Sequence, residues 1–83
     1  MSMTTGVYRH YKGREYRVLG VGRHSESEEE MVVYQALYGD YGLWIRPLQM
    51  FQETVEINGE HLPRFALLRE EPPVIGMQPN HKP

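Results

Sequence analysis

The chain has 83 residues, no cysteine, a formal net charge of −2 and 40% hydrophobic residues. That allows one small domain and excludes both a disulfide framework and a thiolate zinc site, so six Tyr, two Phe and one Trp carry a core that packing alone must hold. No apolar stretch approaches the roughly 20 residues that cross a membrane, and the polar start lacks a signal-peptide centre, so a cytoplasmic location is the expectation.

Residues 7–11 form a short β-prone segment, and Lys12-Gly13 is a turn signal. Residues 15–23 then read as a strand with Tyr16 and Val18 on one face and Arg17, Leu19 and Val21 on the other. Gly20 and Gly22 remove side chains from the first face, which suits a bulge or sharp bend. Residues 25–30 are too polar and like-charged for a core strand and read as an exposed loop.

Residues 31–38, rich in Val and Tyr, are the strongest strand signal. Gly39-Asp40-Tyr41-Gly42 is a turn, and residues 43–46 return as the second arm of a hairpin. Pairing Tyr38 with Leu43 sets Ala36 opposite Ile45 and Leu37 opposite Trp44. Tyr34, Ala36, Tyr38, Leu43 and Ile45 then share a core face, and Gln35, Leu37, Trp44 and Arg46 face outward. A loop one residue longer exchanges the two sets.

Pro47 ends the strand because it has no N–H to donate. Residues 48–51 are predicted as one 3₁₀ turn with Leu48 and Phe51 inward. Residues 53–57 alternate acidic and apolar, Asn58-Gly59 signals a type I′ hairpin, and residues 64–69 form the closing strand. From residue 71 onward four prolines and no periodicity predict a flexible, disordered tail over 71–83. The expectation is all-β: a small SH3-like barrel of about five short strands over residues 6–70.

The run Tyr8-Arg9-His10-Tyr11-Lys12-Gly13, with Tyr16-Arg17-Val18 after it, resembles the opening of a bacterial family called domain of unknown function 1653. Its pattern continues through His24-Ser25-Glu26, the run from Val32 to Tyr38, Trp44-Ile45-Arg46-Pro47, Met50-Phe51 and Pro63-Arg64-Phe65. The resemblance spans roughly residues 6 to 68 and implies an SH3-like β barrel, with no assigned activity. Ala36-Leu37-Tyr38-Gly39-Asp40-Tyr41 also looks like the motif that lines proline-peptide grooves in eukaryotic SH3 domains. Here it is broken by Gly39, sits mid-chain and lacks the paired tryptophans of such a groove.

Charge is uneven along the chain. Arg9, Lys12, Arg14, Arg17 and Arg23 face only Glu15 in residues 8–23, whereas Glu26, Glu28, Glu29 and Glu30 follow with no cation. Tyr8, Tyr11, Trp44, Arg9, Arg17 and Arg46 compose an aromatic and basic candidate surface, whose rings and guanidiniums suit a protein partner or stacked single-stranded RNA. The plainer reading is that the rings fill the core and the arginines solvate its rim.

His24 and Glu26 share a face in extended backbone, and His10 joining them across the barrel makes a small-molecule or metal site the third candidate. No G-x-S-x-G elbow, phosphate loop or complete acid–base set is present. The resulting expectation is a non-catalytic module without cofactor that docks a protein or peptide partner, with RNA as the alternative.

Overall fold

The computed structural model describes residues 3–75. Seven strands run in chain order: β1 (Gly6–His10), β2 (Glu15–Arg23), β3 (Glu30–Ala36), β4 (Leu43–Pro47), β5 (Thr54–Ile57), β6 (Glu60–Pro63) and β7 (Phe65–Glu70). One helical turn, α1 (Leu48–Phe51), separates β4 from β5. The all-β expectation holds, with two strands more than expected. An antiparallel sheet of order β4-β3-β2-β1-β7 carries the core, and β5 and β6 form a separate hairpin. The larger sheet is not closed into a barrel, because β4 and β7 remain its edges.

Cross-strand register shows which residues share the core face. Tyr8 opposes Tyr16, Tyr16 opposes Ala36 and Val18 opposes Tyr34. The register shifts between Val18 and Gly20, so the glycine pair does mark a bulge, and Leu19 is its extra residue. The inserted residue reverses the faces beyond it. Val21 therefore opposes Val32 and packs on the core, correcting its expected place beside Arg17. Gly20 moves to the outer face, where a Cβ would lie 2.4 Å from the Ile75 carbonyl oxygen.

The bare backbone at Gly20 lets residues 71–75 cross the sheet. Val74 and Ile75 N–H groups donate to the Leu19 carbonyl at 2.8 and 3.2 Å, and the Glu71 N–H donates to the Thr5 carbonyl at 3.0 Å. The segment expected to begin the loose tail is thus bonded to the sheet through residue 75. Residues 76–83 of that predicted tail lie outside the described residues.

The β3–β4 register differs from the sequence expectation. Tyr34 opposes Trp44, Val33 opposes Ile45 and Gln35 opposes Leu43. The connection is longer because the Tyr41 N–H closes a tight turn on the Tyr38 carbonyl, with Gly39 and Tyr41 both at positive φ. The three-residue displacement is odd, so the faces exchange. Leu43 and Ile45 leave the core face and are 64% exposed, while Trp44 and Arg46 turn to the side of Tyr34.

Phe51, Val18 and Val32 are almost fully buried and cluster with Tyr8, Tyr34, Leu48 and Phe65, while Val7 and Ala36 are buried besides. Residues 48–51 form an α turn rather than the predicted 3₁₀ turn, since the Gln52 N–H reaches the Leu48 carbonyl. Leu48 and Phe51 do point inward. Asn58 and Gly59 both take positive φ in the β5–β6 turn, as a type I′ hairpin requires.

Candidate docking surface

On the core side of the sheet, the buried rings of Phe51, Phe65 and Tyr34 run out to the half-buried rings of His10, Tyr16 and Tyr38, which with their neighbours form a paved face. Phe51 stacks on Phe65 with centroids 4.0 Å apart, and Phe65 meets the edges or faces of His10, Tyr16 and Tyr34 at 4.9 to 5.8 Å. Tyr16 in turn meets Tyr34 and Tyr38, each at 5.5 Å. These near-perpendicular pairs set the positive edge of one ring against the negative face of another. The Tyr16 and Tyr38 hydroxyls share a 2.7 Å hydrogen bond. Burial first, then that bond, pushes the Tyr16 phenol up to about 12.

Two guanidiniums lie on this paving. Arg14 sits 4.3 Å from the Tyr38 ring centroid, and Arg46 sits 5.8 Å from that of Phe65 while its Nε donates a long 3.4 Å bond to the Tyr34 hydroxyl. Neither has a carboxylate partner among the described residues. An arginine held by a ring face keeps N–H groups free for an incoming acceptor. Beside them Trp44, opposite Tyr34, is 56% exposed.

His10 lies at the margin, tilted against Tyr11 at 4.5 Å. Its Nδ1 accepts the Lys12 N–H at 3.1 Å, which assigns the hydrogen of the neutral ring to Nε2. Burial, and then the positive charges of Arg64, Lys12 and Arg46, hold its pKa below the usual histidine value.

The arginines of the expected basic stripe behave differently. Arg9 reaches Glu15 at 3.5 Å and Arg23 reaches Glu28 at 3.8 Å. The Arg17 Nε lies 3.0 Å from a Glu71 oxygen, and another nitrogen reaches the Pro72 carbonyl at 3.4 Å. Arg17 therefore clasps residues 71–72 on the outer face and leaves the candidate surface. Tyr8 leaves it as well: it is buried, meets Phe51 at 5.5 Å and donates its hydroxyl to the Thr4 carbonyl. Arg9 is exposed but points to the outer face. Of the six residues named from sequence, Tyr11, Trp44 and Arg46 remain on or beside the paved face.

The proposed histidine–carboxylate site does not assemble. His10 ends β1 beside the start of β2, whereas His24 follows the end of β2. Nine residues of strand, roughly 30 Å, separate those ends. Among the described residues no three metal-ligating side chains come together. The His24 Nδ1 accepts the N–H groups of Glu26 and Ser27 at 3.1 and 3.3 Å, so its work is to brace an exposed turn.

Arg14 and Tyr38 escaped the sequence reading as site residues. Arg14 stands two positions before Tyr16, and period two puts both on one face. That spacing was a usable signal. The distant pairing of Tyr16 with Tyr38 was not. A concavity of about 470 Å³ lies on another part of the molecule, lined by residues including Met3, Val21 and Pro72. Arg14, Tyr38, Trp44 and Arg46 line none of it, nor do they line a second concavity of about 390 Å³ that borders the Phe51–Phe65 pair beside Tyr8 and Leu67.

No helix among the described residues is long and apolar enough to cross a membrane. No curated protein matches the chain. A crystal structure of a protein belonging to DUF1653 from Bordetella bronchiseptica is similar, with 41% identity and a TM-score of 0.75 over 86% of this chain and 94% of that one. The family described as "Protein of unknown function (DUF1653)" matches residues 6–67, three quarters of the sequence. Fold, sequence and relative agree, and the chain belongs to the DUF1653 family.

Proposed function

We propose that this protein is a non-catalytic cytoplasmic module that docks a protein or peptide partner on its paved face. One observation carries the reading. The Arg14 and Arg46 guanidiniums rest on rings without a carboxylate, next to a Trp44 that is more than half exposed. Arg, Trp and Tyr are the residue types on which interface energy concentrates. The matching partner offers carboxylates to the arginines and an apolar or aromatic side chain to Trp44.

The same chemistry suits stacked single-stranded RNA, but the charge arrangement favours a protein. A backbone of phosphates needs a continuous basic track. Arg9, Arg17 and Arg23 each stand beside a glutamate, which interrupts the track. The test uses wild-type protein and an Arg14→Ala/Arg46→Ala variant as baits in bacterial extract. A protein that the wild type retains and the variant loses, then binds directly when purified, supports the reading. Retention of RNA alone would overturn it.

A further inference from the structure

The two edges of the large sheet are unlike. On β7 the ladder carries a register shift opposite Val7 and Tyr8, and Arg69 and Glu70 crowd its end. Charge and irregularity are the usual means by which an edge strand is kept from pairing. The middle of β4 has neither. Leu43-Trp44-Ile45 is uncharged, and its register with β3 runs without a shift.

The phase of the β3–β4 ladder shows which backbone groups of that edge are free. Ala36 opposes Gly42 and donates its N–H to the Gly42 carbonyl at 2.9 Å. In an antiparallel ladder alternate residues turn to the same neighbour. Gly42, Trp44 and Arg46 therefore turn their backbone toward β3, and Leu43, Ile45 and Pro47 turn theirs outward. Pro47, which has no N–H, occupies an outward position, where none is needed for the ladder. Among the described residues no strand pairs with β4 on that side. The exposed side chains match the exposed backbone: Leu43 and Ile45 are each 64% exposed and Trp44 56%.

We propose that β4 pairs with β4 of a second copy, antiparallel about a two-fold axis at Ile45. Self-complementarity selects a second copy as the occupant. With Ile45 opposite Ile45, Leu43 of each copy donates its N–H to the Pro47 carbonyl of the other, so both free N–H groups of each edge are satisfied. Trp44 of one copy then faces Arg46 of the other, twice. The single charge of the strand meets a ring face rather than its own like. Leu43 and Ile45 of the two copies meet on the outer face.

The axis runs through the sheet, so both paved faces lie on the same side of one ten-stranded sheet. Two docking surfaces would stand next to each other, and a partner with two sites would gain by avidity. This pairing goes beyond the docking reading and does not depend on it. A contact of so few side chains falls below the roughly 1,200 Å² of a standard interface, so association is weak and concentration-dependent.

Sedimentation velocity and amide hydrogen exchange on the whole chain, over about 10 µM to 1 mM, test it at the weak end of protein affinities. The expected result is a dimer fraction that rises with concentration, together with slowed exchange at the Leu43 and Ile45 amides. Ile45→Pro removes an outward donor without touching the β3 ladder and should abolish the dimer. Ile45→Val keeps the donor and should retain it. A monomer at the highest concentration overturns the proposal. So does a dimer in which exchange at Leu43 and Ile45 does not change with concentration, a readout that needs no variant to fold.

Discussion

Replacing Phe51 by Ala tests the packing that holds the paved face together. Phe51 is 1% exposed, stacks on Phe65 at 4.0 Å and meets Tyr8 and Tyr34 edge-on at 5.5 and 5.2 Å. Loss of a buried Phe side chain costs about 3–5 kcal/mol, transfer and cavity together. An 83-residue domain has roughly 4–12 kcal/mol of total stability. Phe51→Ala should therefore remove a large share of it, enough to unfold a chain at the low end of that range.

Phe51→Leu refills most of the space and loses chiefly the ring–ring geometry, about 0.5–1.5 kcal/mol for each pair. Met50 is the internal control, because it sits on the same turn but is 45% exposed. Met50→Ala should stay within about 0.5 kcal/mol of wild type. Urea unfolding followed by far-ultraviolet circular dichroism gives all three values. A loss below about 1 kcal/mol for Phe51→Ala, far under the expected cavity cost, refutes the reasoning. So does a loss from Met50→Ala of equal size.

His10 has a folded-state pKa below the usual value, so folding favours its neutral ring. Its contribution to stability is present above about pH 6.5 and is lost as pH falls through the folded pKa. Histidine NMR should put its midpoint below 6.5, and a midpoint at or above that value contradicts the burial of the ring and the crowding of Arg64, Lys12 and Arg46 around it. Tyr16 has the opposite sign: with its phenol raised to about 12, its stabilising term is intact below pH 10 and fades as pH rises beyond it. A Tyr16→Phe variant should lose less stability between pH 10 and 12 than wild type, and an equal loss would rule out the hydroxyl pair. Gly20→Ala should loosen the segment at its Val74–Ile75 end, because its Cβ would lie 2.4 Å from one Ile75 atom and 2.8 Å from another, while Arg17 still holds residues 71–72. Faster exchange at the Val74 and Ile75 amides with an intact sheet is expected, and unchanged exchange would show that the segment does not cross there.

Local chemistry made much of the fold legible. Asn58-Gly59 can hardly do other than turn a hairpin, and Gly20 with Gly22 announced the bulge, though not that Leu19 would be its extra residue. Leu48 and Phe51 were readable as inward because Pro47 stops the strand just before them. What could not be read locally was decided at a distance. Tyr38 is spent on Tyr16, 22 residues earlier, instead of pairing with Leu43, and this lengthens the loop and turns Trp44 and Arg46 to the other face. Arg17 looked like a free cation because its partner, Glu71, stands in a stretch with no periodicity of its own. Tyr8 and Tyr16 have the same local alternation as any edge-of-core tyrosine, and only the path of α1 buries the first while the second stays half-buried.

The most direct test of the docking account is a comparison of single variants for binding to the protein captured from extract. Trp44→Ala and Arg46→Ala should each weaken binding by about tenfold or more, the loss of 1–2 kcal/mol expected at an interface centre. Arg9→Ala, on the opposite face, should leave binding unchanged. Equal binding by wild type, Trp44→Ala and Arg46→Ala, with loss confined to Arg9→Ala, would place the partner on the outer face and contradict the account.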